Sequence, residues 1–260
     1  MKKILFLLAI VFLSSCSITE RLIILPNEEV KIAHEIDMSQ MLIMAKSMGD
    51  GGDAEDLSNK KKQDTVFSFK SILEEKKDSI ALLPMDEQIK LLALEKYHFK
   101  MQMDESQDQF LMTIFADFSS IDEFKNVMAF DEVLNNSNVN PLGGKKLPSN
   151  LAAYNLKTTY NFDGQVFKRT SIKNEVPESN QEKTEALDPE NPDMAQVLEM
   201  AKEMPIEMTY KLNYRFAKRI RSTSVKNAKI SADRLMVDFE FDMKTYETDP
   251  EFLNLEIYFE

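Results

Sequence analysis

The chain has 260 residues and a formal net charge of -12 at neutral pH. A surface this acidic is repelled by nucleic acid and by anionic headgroups, so bulk charge recruits neither. With 43% hydrophobic residues, seventeen Phe and one Cys, the chain can bury a core and must hold it without an internal disulfide.

The chain opens with Met1-Lys2-Lys3, an apolar run from Ile4 to Leu13, and then Ser14-Ser15-Cys16. Ten apolar residues are too few to cross a bilayer, which takes ~20. Positive charge, a short apolar stretch and small residues in this order read as a secretory signal peptide over residues 1–15. Leu13-Ser14-Ser15-Cys16 resembles the lipobox of bacterial lipoproteins. That resemblance implies cleavage before Cys16, a diacylglycerol thioether on its sulfur and an acylated (palmitate-type) amino terminus. Two or three acyl chains anchor stably where one is marginal. Loss of residues 1–15, with Lys2 and Lys3, takes the formal charge from -12 to -14.

Residues 16–260 read as a single domain. Ile18 to Leu25 is expected as a strand, Pro26 to Glu29 as a turn. Val30, Ile32, His34 and Ile36 alternate with polar neighbours, the period of a second strand. A helix is expected from Asp37 or Ser39 to about Met48, then a mobile segment over 49–63. Val66 to Leu83 is expected to be helical, ended by Pro84, with a second helix from Asp86 to Lys96. Tyr97–Met103 and Phe110–Phe118 form a hairpin around Glu105-Ser106-Gln107-Asp108, the second strand central because Leu111 and Phe115 make both its faces apolar. Ser120-Ile121-Asp122-Glu123 matches a capping box and starts a helix to about Leu134. Residues 135–150 read as a mobile loop. Tyr154–Phe162 and Gln165–Ile172 form a hairpin on Asp163-Gly164, a strong turn signal. Residues 173–190 are acidic and poor in apolar side chains, so they read as mobile; Asn191-Pro192 caps a helix to Met204. Met208–Phe216, Leu235–Phe241 and Leu253–Phe259 alternate as strands.

These elements predict an α+β fold, an antiparallel sheet of hairpins with helices packed on one face. Ile36-Asp37-Met38-Ser39, Asp64-Thr65-Val66-Phe67-Ser68-Phe69, Lys77-Asp78-Ser79-Ile80, Thr113-Ile114-Phe115-Ala116-Asp117-Phe118 and Asn227-Ala228-Lys229-Ile230-Ser231-Ala232-Asp233 resemble a family of uncharacterised envelope lipoproteins of Bacteroidota. The resemblance implies a shared fold and no known activity. The lipobox followed at once by a hairpin is also similar to the LppM-type lipoprotein domain.

Catalytic patterns are sparse. No free thiol serves Cys–His chemistry, no Gly-x-Ser-x-Gly elbow is present, and Gly143-Gly144-Lys145 lacks the rest of a P-loop. Ser58 and Lys61 have Ser/Lys spacing inside an expected loop. His34 and His98 are the two histidines. No catalytic residue, metal site or cofactor is therefore assigned. Sixteen methionines include Met38, Met41, Met44 and Met48 on one helical face, Met200, Met204 and Met208, and Met101 with Met103. Thioethers suit Cu(I), but Met at helical spacing fills a core face equally well. A soft Met- and Phe-rich interior could also take an acyl chain. Asp50, Asp53, Glu55 and Asp56 do not follow a calcium-loop pattern.

Met208 to Ala232 holds Lys211, Arg215, Lys218, Arg219, Arg221, Lys226 and Lys229 and no acid. Cross-strand pairing with Asp238, Glu240 and Asp242 accounts for Lys211 and Arg215. Lys218, Arg219 and Arg221 lie in a turn and are candidates for headgroup or partner contact. The function expected is a non-enzymatic binding or structural module, anchored to the outer membrane through lipidated Cys16. Its partners would be membrane lipid and an envelope protein or apolar ligand, and not nucleic acid. Alternatives are a periplasmic carrier of a lipid or acyl chain, and less readily a hydrolase or copper-binding protein. Ser17 after the cysteine resembles the pattern that permits transfer to the outer membrane. A lone acid, Glu20, among the residues after it favours the periplasmic side.

Overall fold

Alternation of apolar and polar side chains puts Ile18, Leu22 and Ile24 on the buried face of β1 (Cys16–Ile24) and Val30, Ile32 and Ile36 on that of β2 (Val30–Asp37). The structure, a computed structural model, describes residues 16–40, 42–43, 62–125, 156–173, 208–242, 245 and 249–260. After β2 come β3 (Gln63–Ser68) and three short helices, α1 (Phe69–Glu75), α2 (Lys77–Ile80) and α3 (Met85–Leu92). The hairpin β4 (Tyr97–Asp104) and β5 (Gln109–Phe118) leads to α4 (Ile121–Phe124). The hairpin β6 (Leu156–Phe162) and β7 (Val166–Lys173) follows, then β8 (Met208–Arg215), β9 (Ile220–Thr223), β10 (Lys229–Ile230), β11 (Met236–Asp242) and β12 (Leu255–Phe259).

The strands form two sheets. One has eight strands in the order β10-β11-β8-β1-β2-β5-β4-β3, the other four in the order β6-β7-β12-β9. The sheets meet through aromatic side chains: Phe167 of β7 packs edge-on to Tyr214 of β8 and to Phe216, with ring centroids 5.6 and 5.3 Å apart. Among the described residues β1 and β8 make the one parallel pair, in the register Cys16↔Met208 to Ile23↔Arg215. A parallel pair cannot close through a tight turn. Here β1 and β8 are joined through most of the chain.

The expected α+β architecture is therefore corrected. The protein is mostly β, and the four-stranded sheet takes the place expected of a helical layer. The error is clearest at Val66–Leu83, expected as one helix. Gln63–Ser68 instead extends the large sheet as an edge strand on β4, with Phe67 stacked on its cross-strand partner Phe99. Helix begins only at Phe69. Leu91 and Leu94 are buried while Leu82, Met85, Ile89 and Leu92 are exposed, so α3 turns an apolar row to solvent. β9 and β10 were not expected either. Both are too short for alternation to register.

Several local expectations hold. β5 lies between β2 and β4. Ser120 Oγ accepts from the Glu123 N–H at 3.2 Å, and Glu123 reaches back to the Ser119 N–H at 2.9 Å. Asp163 Oδ1 accepts from the N–H groups of Gln165 and Val166, both at 2.8 Å, and Gly164 takes φ 87°, which its lack of Cβ permits. Met38 is buried, and Met101 and Met103 pack against the core. Met41, Met44, Met48, Met200 and Met204 lie outside the residues whose side chains are described, as do nearly all of 49–63, all of 135–150 and all of 173–190 beyond Lys173.

Candidate functional site

Cys16 is the first residue of β1 and pairs with Met208, while Ser17 is already in register with Asp37 of β2 and Thr209 of β8. The lipidation candidate thus sits at one end of an interior strand of the large sheet. The same end holds the finish of β2, the start of β5 and the finish of β11, since Asp37 pairs with Leu111 and Thr209 with Asp242.

Lys218, Arg219 and Arg221 lie toward the opposite end. β8 runs parallel to β1, and Arg215 is the register partner of Ile23. Seven residues of strand separate that level from Cys16, ~23 Å at 3.3 Å per residue. Lys218 Nζ donates to the Gly164 carbonyl at 2.8 Å. Arg219 lies 3.6 Å from the Glu260 carboxylate, which Arg234 also approaches at 3.1 Å. Arg221 belongs to β9 and is exposed. Lys211 faces Glu240 in register as expected, whereas Arg215 faces Met236 and Asn213 is the residue that donates to Asp238.

A cluster that sequence reasoning missed lies between the sheets. Glu20, His34, Arg169 and Ser171 are buried polar residues. Glu20 follows the inward parity of β1, so its carboxylate enters the core. The Arg169 side chain enters from β7. Its Nε lies 3.3 Å from Glu20 Oε1 and its Nη2 3.0 Å from Oε2, a two-pronged pair. Tyr160 of β6 donates to Oε1 at 2.8 Å, Tyr210 of β8 to Oε2 at 2.8 Å, and Tyr214 also donates to Oε1. Arg169 spends its other donors on Ser171 Oγ, on the Leu253 carbonyl at 3.0 Å and on Tyr210 Oη at 3.5 Å. All five guanidinium N–H groups are engaged.

Burial alone would raise the Glu20 pKa. The Arg169 guanidinium first, then His34 and the Tyr214 hydroxyl, overcome that and hold it down to about 2. His34 is the register partner of Glu20 across β1 and β2. Burial drives its pKa down to about 4 against the pull of Glu20, so the ring is neutral near pH 7. Tyr160, Tyr210 and Tyr214 are pushed well above their ordinary value by burial and by the Glu20 charge, so they remain donors. The set has the residue types of an active site, but its members are buried, and Glu20, Arg169, Ser171 and the three tyrosines are committed to one another. It fits a clasp: Glu20, Tyr210 and Tyr214 come from the large sheet, Tyr160, Arg169 and Ser171 from the small one. His98 lies apart, on β4, stacked on Phe115 with centroids 5.1 Å apart. Among the described residues no three His, Cys, Asp or Glu side chains are grouped to hold a metal ion, and no helix is long and apolar enough to cross a membrane.

No protein-family model and no curated protein matches this chain. Among solved structures it is similar to the NMR structure of the folded domain of the Mycobacterium tuberculosis LppM protein. The identity is 10% and the TM-score 0.35, over 95% of this chain and 91% of that one. So distant a likeness gives the chain neither a family nor a function.

Proposed function

We propose that the chain is a lipid-anchored envelope protein, a non-enzymatic binding or structural module held at the outer membrane through acylated Cys16. One observation carries the reading beyond the lipobox: β1 begins at Cys16, and Ser17 is already bonded into the sheet on both sides. The residue that would carry the lipid is thus the first residue of β1, one position before the strand is paired on both sides. Such an anchor has no slack, so the Cys16 end of the large sheet rests on the bilayer and the other end stands away from it. An acidic chain gains nothing from anionic headgroups, so the acyl chains supply the attachment. On this reading Lys218, Arg219 and Arg221 are placed for a partner and not for the headgroups of the anchoring membrane.

The test is metabolic labelling with an alkyne fatty acid, followed by fractionation of inner and outer membranes. The wild-type chain takes up label and sediments with the outer membrane. Cys16→Ala folds, takes up none and leaves the membrane fraction. A Cys16→Ala chain that still sediments with membranes would show that something else anchors it.

A further inference from the structure

The stretch from Arg215 to Arg234 is a basic strap on an acidic protein. It carries Arg215, Lys218, Arg219, Arg221, Lys226, Lys229 and Arg234 against Asp233. It also bridges the sheets, with β9 in the small one and β10 in the large one. Its backbone is fixed from within. The Ile220 N–H donates to the Arg234 carbonyl, Arg234 Nε to the Ile220 carbonyl and Arg234 Nη2 to the Arg221 carbonyl, each at 2.7 Å. These bonds engage the outer edge of β9 at Ile220 and Arg221. Lys218, Arg219 and Arg221 are held by a rigid backbone before any partner arrives, which lowers the entropy cost of binding.

The strap already holds one carboxylate. Glu260 follows the extended strand β12. Its N–H donates to the Arg219 carbonyl at 2.9 Å, and its side chain lies against Arg219 and Arg234. The Arg219 side chain remains 59% exposed while doing so. Lys218 has spent one of its three donors, on Gly164. Unused donors therefore face solvent beside a glutamate presented from an extended segment.

We propose that this far-end face docks an acidic polypeptide, an extended segment bearing Glu or Asp side chains, on the side turned away from the anchoring membrane. The orientation rests on the anchored reading above; the binding chemistry does not. Arginine forks match carboxylates, and the face shows that match with Glu260. A bilayer surface fits less well, because membrane-binding faces add apolar side chains that insert. Here Ile230 is the large apolar side chain left exposed.

The experiment places the full lipidated protein in phosphatidylcholine vesicles and titrates it with fluorescent poly-L-glutamate. Wild type binds, and binding weakens as salt rises. Lys218→Glu with Arg221→Glu loses at least about tenfold in affinity. Lys218→Gln with Arg221→Gln, which keeps an amide for Gly164, loses part of it. Lys76→Glu with Lys77→Glu makes the same change in net charge elsewhere and leaves binding unchanged. An equal loss in that control pair would overturn the proposal, since net charge alone would then explain it. So would binding to phosphatidylglycerol vesicles without binding to poly-L-glutamate. Protein that fails to stay on the vesicles breaks the anchored reading instead, and its affinity in solution still decides the face.

Discussion

Glu20 and Arg21 are neighbours on β1, and each makes an ion pair. Glu20 points inward and meets Arg169, with 0% and 1% of the two side chains exposed. Arg21 points outward and meets Glu35 on β2 at 3.0 Å, with 45% and 22% exposed. The contact distances are the same, yet the energetics differ. The outer pair exchanges water for a partner in a high dielectric and is worth little. The inner pair has lost its water, so it depends on every one of its hydrogen bonds. Strand parity alone decides which pair is which.

Removing one partner of the inner pair gives the largest expected effect. Arg169→Ala leaves Glu20 charged and buried beside three phenols, and the cost is about 3–5 kcal/mol. Denaturant titration reads it. Replacing both partners, as in Glu20→Leu with Arg169→Met, is expected to recover much of that loss, because no charge is then stranded. If Arg169→Ala costs less than ~1 kcal/mol, the clasp is not desolvated as described.

Acid is expected to act on the buried cluster around the inner pair in two stages. Unfolded, His34 binds a proton near its ordinary value of 6.5; folded, only at about 4. Protons therefore favour unfolding, and stability present above pH 6.5 is lost as pH falls toward 4, on the order of 3 kcal/mol. Glu20 adds a second loss as pH falls from 4.5 through about 2, because its folded carboxylate holds on to ionisation that the unfolded one gives up. Denaturation midpoints measured across this range show the slope. His34→Leu should flatten the upper part and change the lower part less, since Arg169 does more than His34 to hold the Glu20 pKa down. A slope unchanged by that substitution would mean that other groups carry it.

Much of this was legible one strand at a time. Alternation set the inward faces of β2, β5, β8 and β11 correctly, and Asp163-Gly164 and Ser120-x-x-Glu123 marked their turn and cap. The clasp had a signal too. Glu20 falls on the parity of Ile18 and Leu22, His34 on that of Ile32 and Ile36, and Arg169 on that of Phe167. A charge on an apolar parity announces a buried partner. Counted only as the lone acid after Cys16, Glu20 gives no sign of that. What the sequence could not supply was the partner, because Glu20 and Arg169 are 149 positions apart and meet only through sheet packing. The same limit hid the second sheet. Hairpins are local, whereas the β1–β8 pairing and the β12–β9 pairing depend on long-range contacts that no periodicity encodes. It also hid how far the basic turn lies from Cys16, which follows from the parallel register alone.

Between the extremes lies the loss of one donor to Glu20. Tyr160→Phe removes the hydroxyl of the small sheet's tyrosine, 2.8 Å from Oε1, and keeps the ring that packs 4.7 Å from Phe124. Arg169 and Tyr214 still serve that oxygen, so the expected cost is about 1.5–2 kcal/mol, the low end of the range for hydrogen bonds to a charged group. A double-mutant cycle with Arg169→Met should show coupling, since both act on one carboxylate.

Arg21→Ala tests the outer pair and should be the smallest effect. Solvent reaches both side chains, and holding them in one geometry costs rotamer entropy. The loss expected is about 0.2–1 kcal/mol, measured as a shift in denaturation midpoint, and rising salt should shrink it because exposed charges are screened. The inner pair offers the contrast: water and counterions do not reach Glu20 or Arg169, so the cost of Arg169→Ala should hardly change with salt. If salt moved both costs alike, the inner pair would be open to solvent, and the line between a structural clasp and a surface contact, drawn from the parity of two adjacent residues, would fail.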